Sequence, residues 1–172
     1  MTAERYYGKH PGTVFNNVDP EGVGRIQAIV PGVPGFEVAP TTWARPVAPL
    51  AGIQRGVYLV PELASGVWIE FERGDPRYPL WTGGFWGSRA EVPADAQLGL
   101  PVLPSIVLQT SVKNTLAISE VPGPTGGIMI RSGLASITVN DTGIIIQNGQ
   151  GAVLALVGPN VIINNGALTV LP

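Results

Sequence analysis

Glu70, Glu72 and Asp75 form the densest group of carboxylates in the chain. Paired carboxylates are the machinery of glycoside cleavage, one acting as acid and the other as base or nucleophile. Glu70 and Glu72 lie two apart in GVWIEFERG, so on a strand they share a face. Arg73 and Arg77 stand beside them, and we read the cluster as solvated surface charge with ion pairs at a turn, Gly74-Asp75-Pro76 being a turn sequence in its own right. His10 is the single histidine. A Ser-His-Asp triad needs a fixed, oriented imidazole, which an N-terminal tail does not supply, and no GxSxG elbow is present. Gly149-Gln150-Gly151 and Gly123-Pro124-Thr125-Gly126-Gly127 imitate fragments of phosphate loops without the Lys-Ser/Thr or the strand-to-helix setting. They read as turns in which glycine permits positive φ. Asn140-Asp141-Thr142 matches a glycosylation sequon that is common by chance. Asp141 is the sole charge after Arg131 and, with no cation near it in sequence, should face solvent at a turn. These residues lead to an expectation of no catalytic, cofactor-binding or metal site, and of no cofactor.

Composition narrows the class further. A chain of 172 residues fits one or two small domains. Gly 23 and Pro 17 are high and charged residues are only 13%, while 45% hydrophobic content excludes a disordered chain. Strand formers and turn residues dominate and no stretch is amphipathic at helical period, so the class is all-β. Net charge is −2 with a pI near 5.3. Arg25, Arg45, Arg55, Arg73, Arg77 and Arg89 are dispersed among acids, which argues against binding nucleic acid by phosphate neutralisation. There is no cysteine, hence no disulfide or thiolate chemistry. MTAERYYGKHPG has no apolar h-region, so the expectation is synthesis in the cytoplasm without a secretory signal, and export by lysis or assembly into a particle. Residues 142–172 carry no charge, but Gly, Asn and Pro interrupt them every few residues, unlike a spanning helix.

Three segments position whatever the chain does. Residues 1–87 hold all four tryptophans and the runs GTVFNNV, GRIQAIVP, TTWARPVA, GVYLVP, GVWIEFERG and PLWTGGFW. So many strands in so short a span suggest a small closed barrel, with Trp43, Trp68, Trp81 and Trp86 packing in its core or between domains. Residues 88–105 are rich in Ala and Pro, and Pro93, Pro101 and Pro104 forbid a regular ladder, leaving an extended linker or clasp. Within 106–172 comes a ladder of short segments: IMIR (128–131), SITV (136–139), IIIQ (144–147), VLAL (153–156), VIIN (161–164) and LTVL (168–171). That spacing suits stacked rungs of one strand and one turn, as in a solenoid. No four-residue strand buries a useful face alone. Ile128, Ile130, Ile137, Val139, Ile144, Ile146, Val161 and Ile163 must therefore share a core with other rungs or other chains. Thr138 should point outward, and Met129, Ile145, Leu154 and Ile162 should occupy the opposite face, which calls for burial on two sides.

DPEGVGRIQAIVP (19–31), TTWARP (41–46), the spacing from Ala51-Gly52 to Gly56, GVWIEFERGDPRYPLWTGGFWG (66–87) and GGIMIRSG…DTGIIIQNGQGAVLALVGPNVIINNGAL resemble the central spike of contractile injection machines. That family includes phage baseplate assembly protein V and the valine–glycine repeat spikes of type VI secretion. The resemblance implies an oligonucleotide/oligosaccharide-binding (OB) type barrel followed by a trimeric intertwined β-helix needle, with the barrel docking on a baseplate hub protein. Tyr6 and Tyr7, ahead of the first strand, are our candidates for the hub contact. The linker leaves no room for the lysozyme domain of larger relatives. The His-x-His iron site at the apex of some relatives is also missing, so a separate cone-shaped tip protein is expected, contacting Asn165, Leu168, Val170, Leu171 and Pro172.

The sequence thus points to a non-enzymatic, homotrimeric spike that pierces a target envelope in a contractile phage tail or injection particle. It would touch the target membrane transiently and bind no nucleic acid. The alternatives are a trimeric tail-fibre or adhesin-type binding protein, and an oligosaccharide- or nucleic-acid-binding OB module with a trimerisation tail.

Overall fold

The computed structural model describes residues 4–98, 100, 102–110 and 113–171, and its contacts divide the chain after Gly87 into two units. The first contains β1 (His10–Asn16), β2 (Gln27–Ile29), β3 (Arg45–Pro46), β4 (Ala51–Gly52), β5 (Arg55–Gly56), β6 (Gly66–Phe71) and β7 (Pro79–Phe85). Five of these form one sheet in the order β2-β1-β6-β7-β3. Period-two alternation sets its faces: β6 buries Val67, Ile69 and Phe71 and turns Gly66, Trp68 and Glu70 the other way. The two outer strands are joined by a bridge in which Ile26 and Ala44 exchange both backbone hydrogen bonds, at 3.1 and 2.7 Å. Inside lie Val14, Ile26, Ala28, Val30, Val33, Ala44, Val67, Ile69 and Phe71. Thr41 is buried among them because its backbone N–H donates to the Ala28 carbonyl and its hydroxyl oxygen accepts the Ala28 N–H.

Two expectations change here. GVYLVP is not a strand past Gly56: β4 and β5 form a separate two-stranded hairpin. Val57 donates back to the Leu50 carbonyl, and from there to Pro61 no ladder continues. TTWARPVA contributes only Arg45–Pro46 and the Ala44 bridge, enough to close a small sheet without a full strand.

The second unit is an eight-stranded sheet whose strands lie in sequence order. It runs from β8 (Ile106–Thr110) and β9 (Asn114–Ser119) through β10 (Gly127–Ser132), β11 (Ala135–Asn140), β12 (Gly143–Gln147) and β13 (Val153–Val157) to β14 (Asn160–Ile163) and β15 (Leu168–Val170). All six expected rungs are strands, and β8 and β9 precede them. Each strand pairs antiparallel with its sequence neighbours, so within one chain the rungs form a meander of hairpins. Glycine is demanded where the turns tighten. A Cβ on Gly127 (φ +85°) would stand 2.0 Å from the Val139 carbonyl oxygen, and one on Gly143 (φ +150°) 2.3 Å from that of Leu156. The strands shorten from six residues in β9, β10 and β11 to four in β14 and three in β15. At about 3.3 Å per residue the ladder narrows from roughly 20 to roughly 10 Å, over a rise of roughly 34 Å at strand spacing.

The segment after Gly87 is a clasp. It forms 3-10 turns at Arg89–Glu91 and Ala94–Leu98, and the second contacts β8 and β9. Asp95, 8% exposed, accepts a hydrogen bond and ion pair from Arg131 of β10, whose guanidinium also donates to the Thr115 hydroxyl at 3.1 Å.

Candidate functional site

Directly opposed residues of an antiparallel pair share a face, so the pairing register of the second unit defines its surfaces. One column on this sheet reads Ile106, Ile118, Ile128, Val139, Ile144, Leu156, Val161 and Val170. Beside it runs Leu108, Leu116, Ile130, Ile137, Ile146, Leu154, Ile163 and Leu168. All sixteen are aliphatic, and most are exposed in the single chain. The eight residues expected to share a core lie together on this face. Sequence reading missed Ile106, Leu108, Leu116 and Ile118, although IVLQT and NTLAIS alternate cleanly. It also placed Leu154 on the opposite face; the register pairs Leu154 with Ile146 and Ile163, on the aliphatic face.

The opposite face carries a central column of Val107, Ala117, Met129, Thr138, Ile145, Ala155, Ile162 and Thr169. Thr138, Met129, Ile145 and Ile162 fall there as expected. At the wide end the clasp covers this face, burying Thr115 and Ala117. Asp141 is exposed in a turn and accepts the Gly123 N–H at 3.1 Å.

Glu70, Glu72 and Asp75 each pair with different cations. Glu70 bonds Lys9, which also donates to Thr82. Glu72 lies beyond the end of β6, in a 3-10 turn, and pairs with Arg45 at 2.7 Å. Asp75 is buried, contrary to the solvated reading. Arg77 grips it through Nε at 3.0 Å and Nη2 at 2.7 Å, and this bond, with the Arg77 backbone N–H, holds its carboxyl down at about 2. A second tightly held carboxylate is one sequence reading passed over. Asp19 accepts from the side chain of Arg25 at 2.7 and 2.9 Å and from the backbone N–H groups of Glu21, Val23 and Arg25, and lies far below the usual carboxylate range. Its signal was the Asp-Pro-Glu-Gly turn with an arginine six residues on. His10 sits between the rings of Tyr6 and Phe71, with centroids at 6.3 and 5.6 Å. The cleft between the β4–β5 hairpin and β7 is lined mostly by glycines and by apolar residues such as Val47, Leu50, Tyr58 and Trp81, with Gln54 and Thr82 as its polar side chains and Arg55 as the one charged residue. Among the described residues no three His, Cys, Asp or Glu gather as a metal-ligand set, and no helix is long and apolar enough to cross a membrane.

The aromatic candidates separate. Tyr6 packs on the barrel core and its N–H bonds the Gly74 carbonyl, whereas Tyr7 is 73% exposed. Trp81 joins the core and donates to the Gly24 carbonyl at 3.0 Å. Trp43 lies beneath the Arg25 guanidinium and Trp68 against Phe85 on the outward side of β6, while Trp86 is 63% exposed and packs in no core. At the narrow end Asn165 occupies a 3-10 turn with φ +56°, and Leu168, Val170 and Leu171 are exposed. Pro172 lies outside the described residues.

Comparison with curated proteins finds no match. Two family models do match. One, described as the type VI secretion system/phage-baseplate injector OB domain, covers residues 10–86. The other, the phage baseplate V C-terminal trimerisation domain, covers residues 105–169. The first spans β1 to β7 and the second the strand ladder with its aliphatic face, in the order in which the chain carries them. The chain belongs to the phage baseplate V family of injector spike proteins.

Proposed function

We propose that this chain is the central spike of a contractile phage tail or related injection machine, working as a homotrimer that pierces the target envelope. One observation carries the reading: sixteen aliphatic side chains stand in two unbroken columns on the open face of a tapering sheet, within a trimerisation domain. Covering each half-exposed aliphatic side chain contributes roughly 1 kcal/mol, and contiguous apolar faces this long are rare on a monomer. Three sheets turned inward satisfy every chain identically. The result is a narrow rod whose backbone ladders and shared core yield together, suited to transmitting sheath force without a cofactor. Its role is mechanical. Glu70, Glu72 and Asp75 are committed to separate cations, so we expect no cell-wall hydrolysis.

The first unit is the anchor, docking on a hub protein, and Tyr7 offers more surface for that contact than Tyr6. At the other end, the exposed Leu168, Val170 and Leu171 and the outer strand β15 suit a separate cone-shaped tip protein. Contact with the target membrane is transient. The test is removal: particles assembled with the Ile146→Asp chain should lack spike density and fail to deliver into target cells. Delivery at the wild-type level by particles lacking this protein overturns the reading.

A further inference from the structure

The aliphatic face has a third column at its wide end, and it is polar. Thr110 opposes Asn114, and Asn114 opposes Ser132, so the three side chains lie in line on the same face as Leu108, Leu116 and Ile130. All three are exposed in the single chain. They are already ordered by one another: the Ser132 hydroxyl donates to Asn114 Oδ1 at 2.7 Å, and Asn114 Nδ2 donates to Thr110 Oγ1 at 3.3 Å. Asn114 keeps a second Nδ2 hydrogen and a second Oδ1 lone pair, and Thr110 keeps its hydroxyl proton. The column then stops, since Ala135 opposes Ser132 on the next strand.

The two aliphatic columns carry little information about alignment. Strand direction alternates, so the smallest slip that restores it is two strands, about 9.6 Å at the usual strand spacing. Such a slip still sets aliphatic against aliphatic over most of the ladder, and so does a sideways shift by one column. Resting on the spike reading, we infer that Thr110, Asn114 and Ser132 align the three copies of this chain at the wide end of the needle by hydrogen-bonding across the seam to a second copy. The occupant is a second copy because the trimerisation match spans residues 105–169 and so contains the whole column, and because the column continues the aliphatic face that those copies cover. In the aligned trimer the spare donors and acceptors meet polar partners. In a shifted one they are buried against methyl groups and left unpaired, which is the costly outcome. A single polar position that selects register within an apolar seam is the device used by coiled coils.

The chain has no cysteine, so Gln150→Cys, in the exposed turn after β12, gives one spin-label site per full-length chain. Dipolar distances between labels then report alignment directly. In the otherwise wild-type trimer the three labels form an equilateral triangle and give one narrow distance. Asn114→Leu should leave the trimer mass unchanged while splitting that distance or at least doubling its width, and Ser132→Ala should broaden it less. One narrow, wild-type distance in both variant trimers overturns the inference. If Asn114→Leu forms no trimer, Ser132→Ala decides by the same measure. A parent chain that is monomeric and shows no dipolar coupling overturns the spike reading itself.

Discussion

Ile146 has no reactive group, yet it is among the most informative single positions in the chain. It is 41% exposed in one chain and flanked in register by Ile137 and Leu154. Ile146→Asp should therefore cost the single chain little, and cost the trimer several kcal/mol for each of three carboxylates forced together in a shared apolar core. The expected result is a chain whose barrel still melts cooperatively but whose mass by light scattering falls from about three times 18.0 kDa to that of one chain. A stable variant trimer would place Ile146 on the outside. Asp19 and Asp75 carry the opposite kind of information. Both have folded pKa values held below the ordinary value of about 3.9. Their stabilisation is thus fully present only well above that ordinary value and is lost as pH falls from there through the folded values, Asp75 near 2 and Asp19 lower still. Denaturant titration of the barrel should show stability dropping from pH 5 toward pH 2. Asp19→Asn should be weaker at pH 6 with a shallower decline, and equal slopes would remove Asp19 as a source of the acid sensitivity.

At the scale of elements, turn residues were the legible signal. Gly and Asn punctuation marked all six distal rungs, whereas β8 and β9 follow a proline-rich stretch and lack a glycine between them, so only their period-two alternation announced them. Period two fixed faces within a strand but cannot be counted through a turn. Five residues separate Gln147 from Val153, and that interval put Leu154 on the wrong side. The barrel was visible as a class, but its closure through one Ile26–Ala44 bridge and a two-residue β3 leaves no run of sequence to detect. The clasp was legible only as an exclusion of regular ladder. Its anchor is a long-range pair, Asp95 with Arg131, that no local pattern encodes. Asp95→Ala leaves the Arg131 guanidinium without its buried partner, at a cost of about 1–3 kcal/mol. Amide exchange in residues 94–98 should rise about tenfold or more, while β12 to β14 keep their protection. Unchanged exchange there would mean that the clasp is held by its backbone alone.

For the whole molecule, the pattern of exposure assigns work to opposite ends of the second unit. Its wide end is closed on one face by the clasp. Its narrow end finishes, among the described residues, in a three-residue strand with every residue exposed. Three copies would bring Leu168, Val170 and Leu171 close together, with the outer edges of three β15 strands offering unpaired N–H and C=O groups. Residues 142–172 carry no charged side chain that could solvate those leucines. A folded cap that pairs with the edges and covers the leucines would both satisfy the backbone and sharpen the point, lowering the force needed to enter a membrane. Pull-down against tip proteins encoded near the spike should show capture by the full chain, and at least tenfold weaker capture by a chain truncated after Asn165. The truncation removes β15 and leaves β8 to β14, so light scattering should still find a trimer. Equal capture by the two chains, or a native particle whose needle ends without a cap, would remove the tip assignment while leaving the aliphatic core intact.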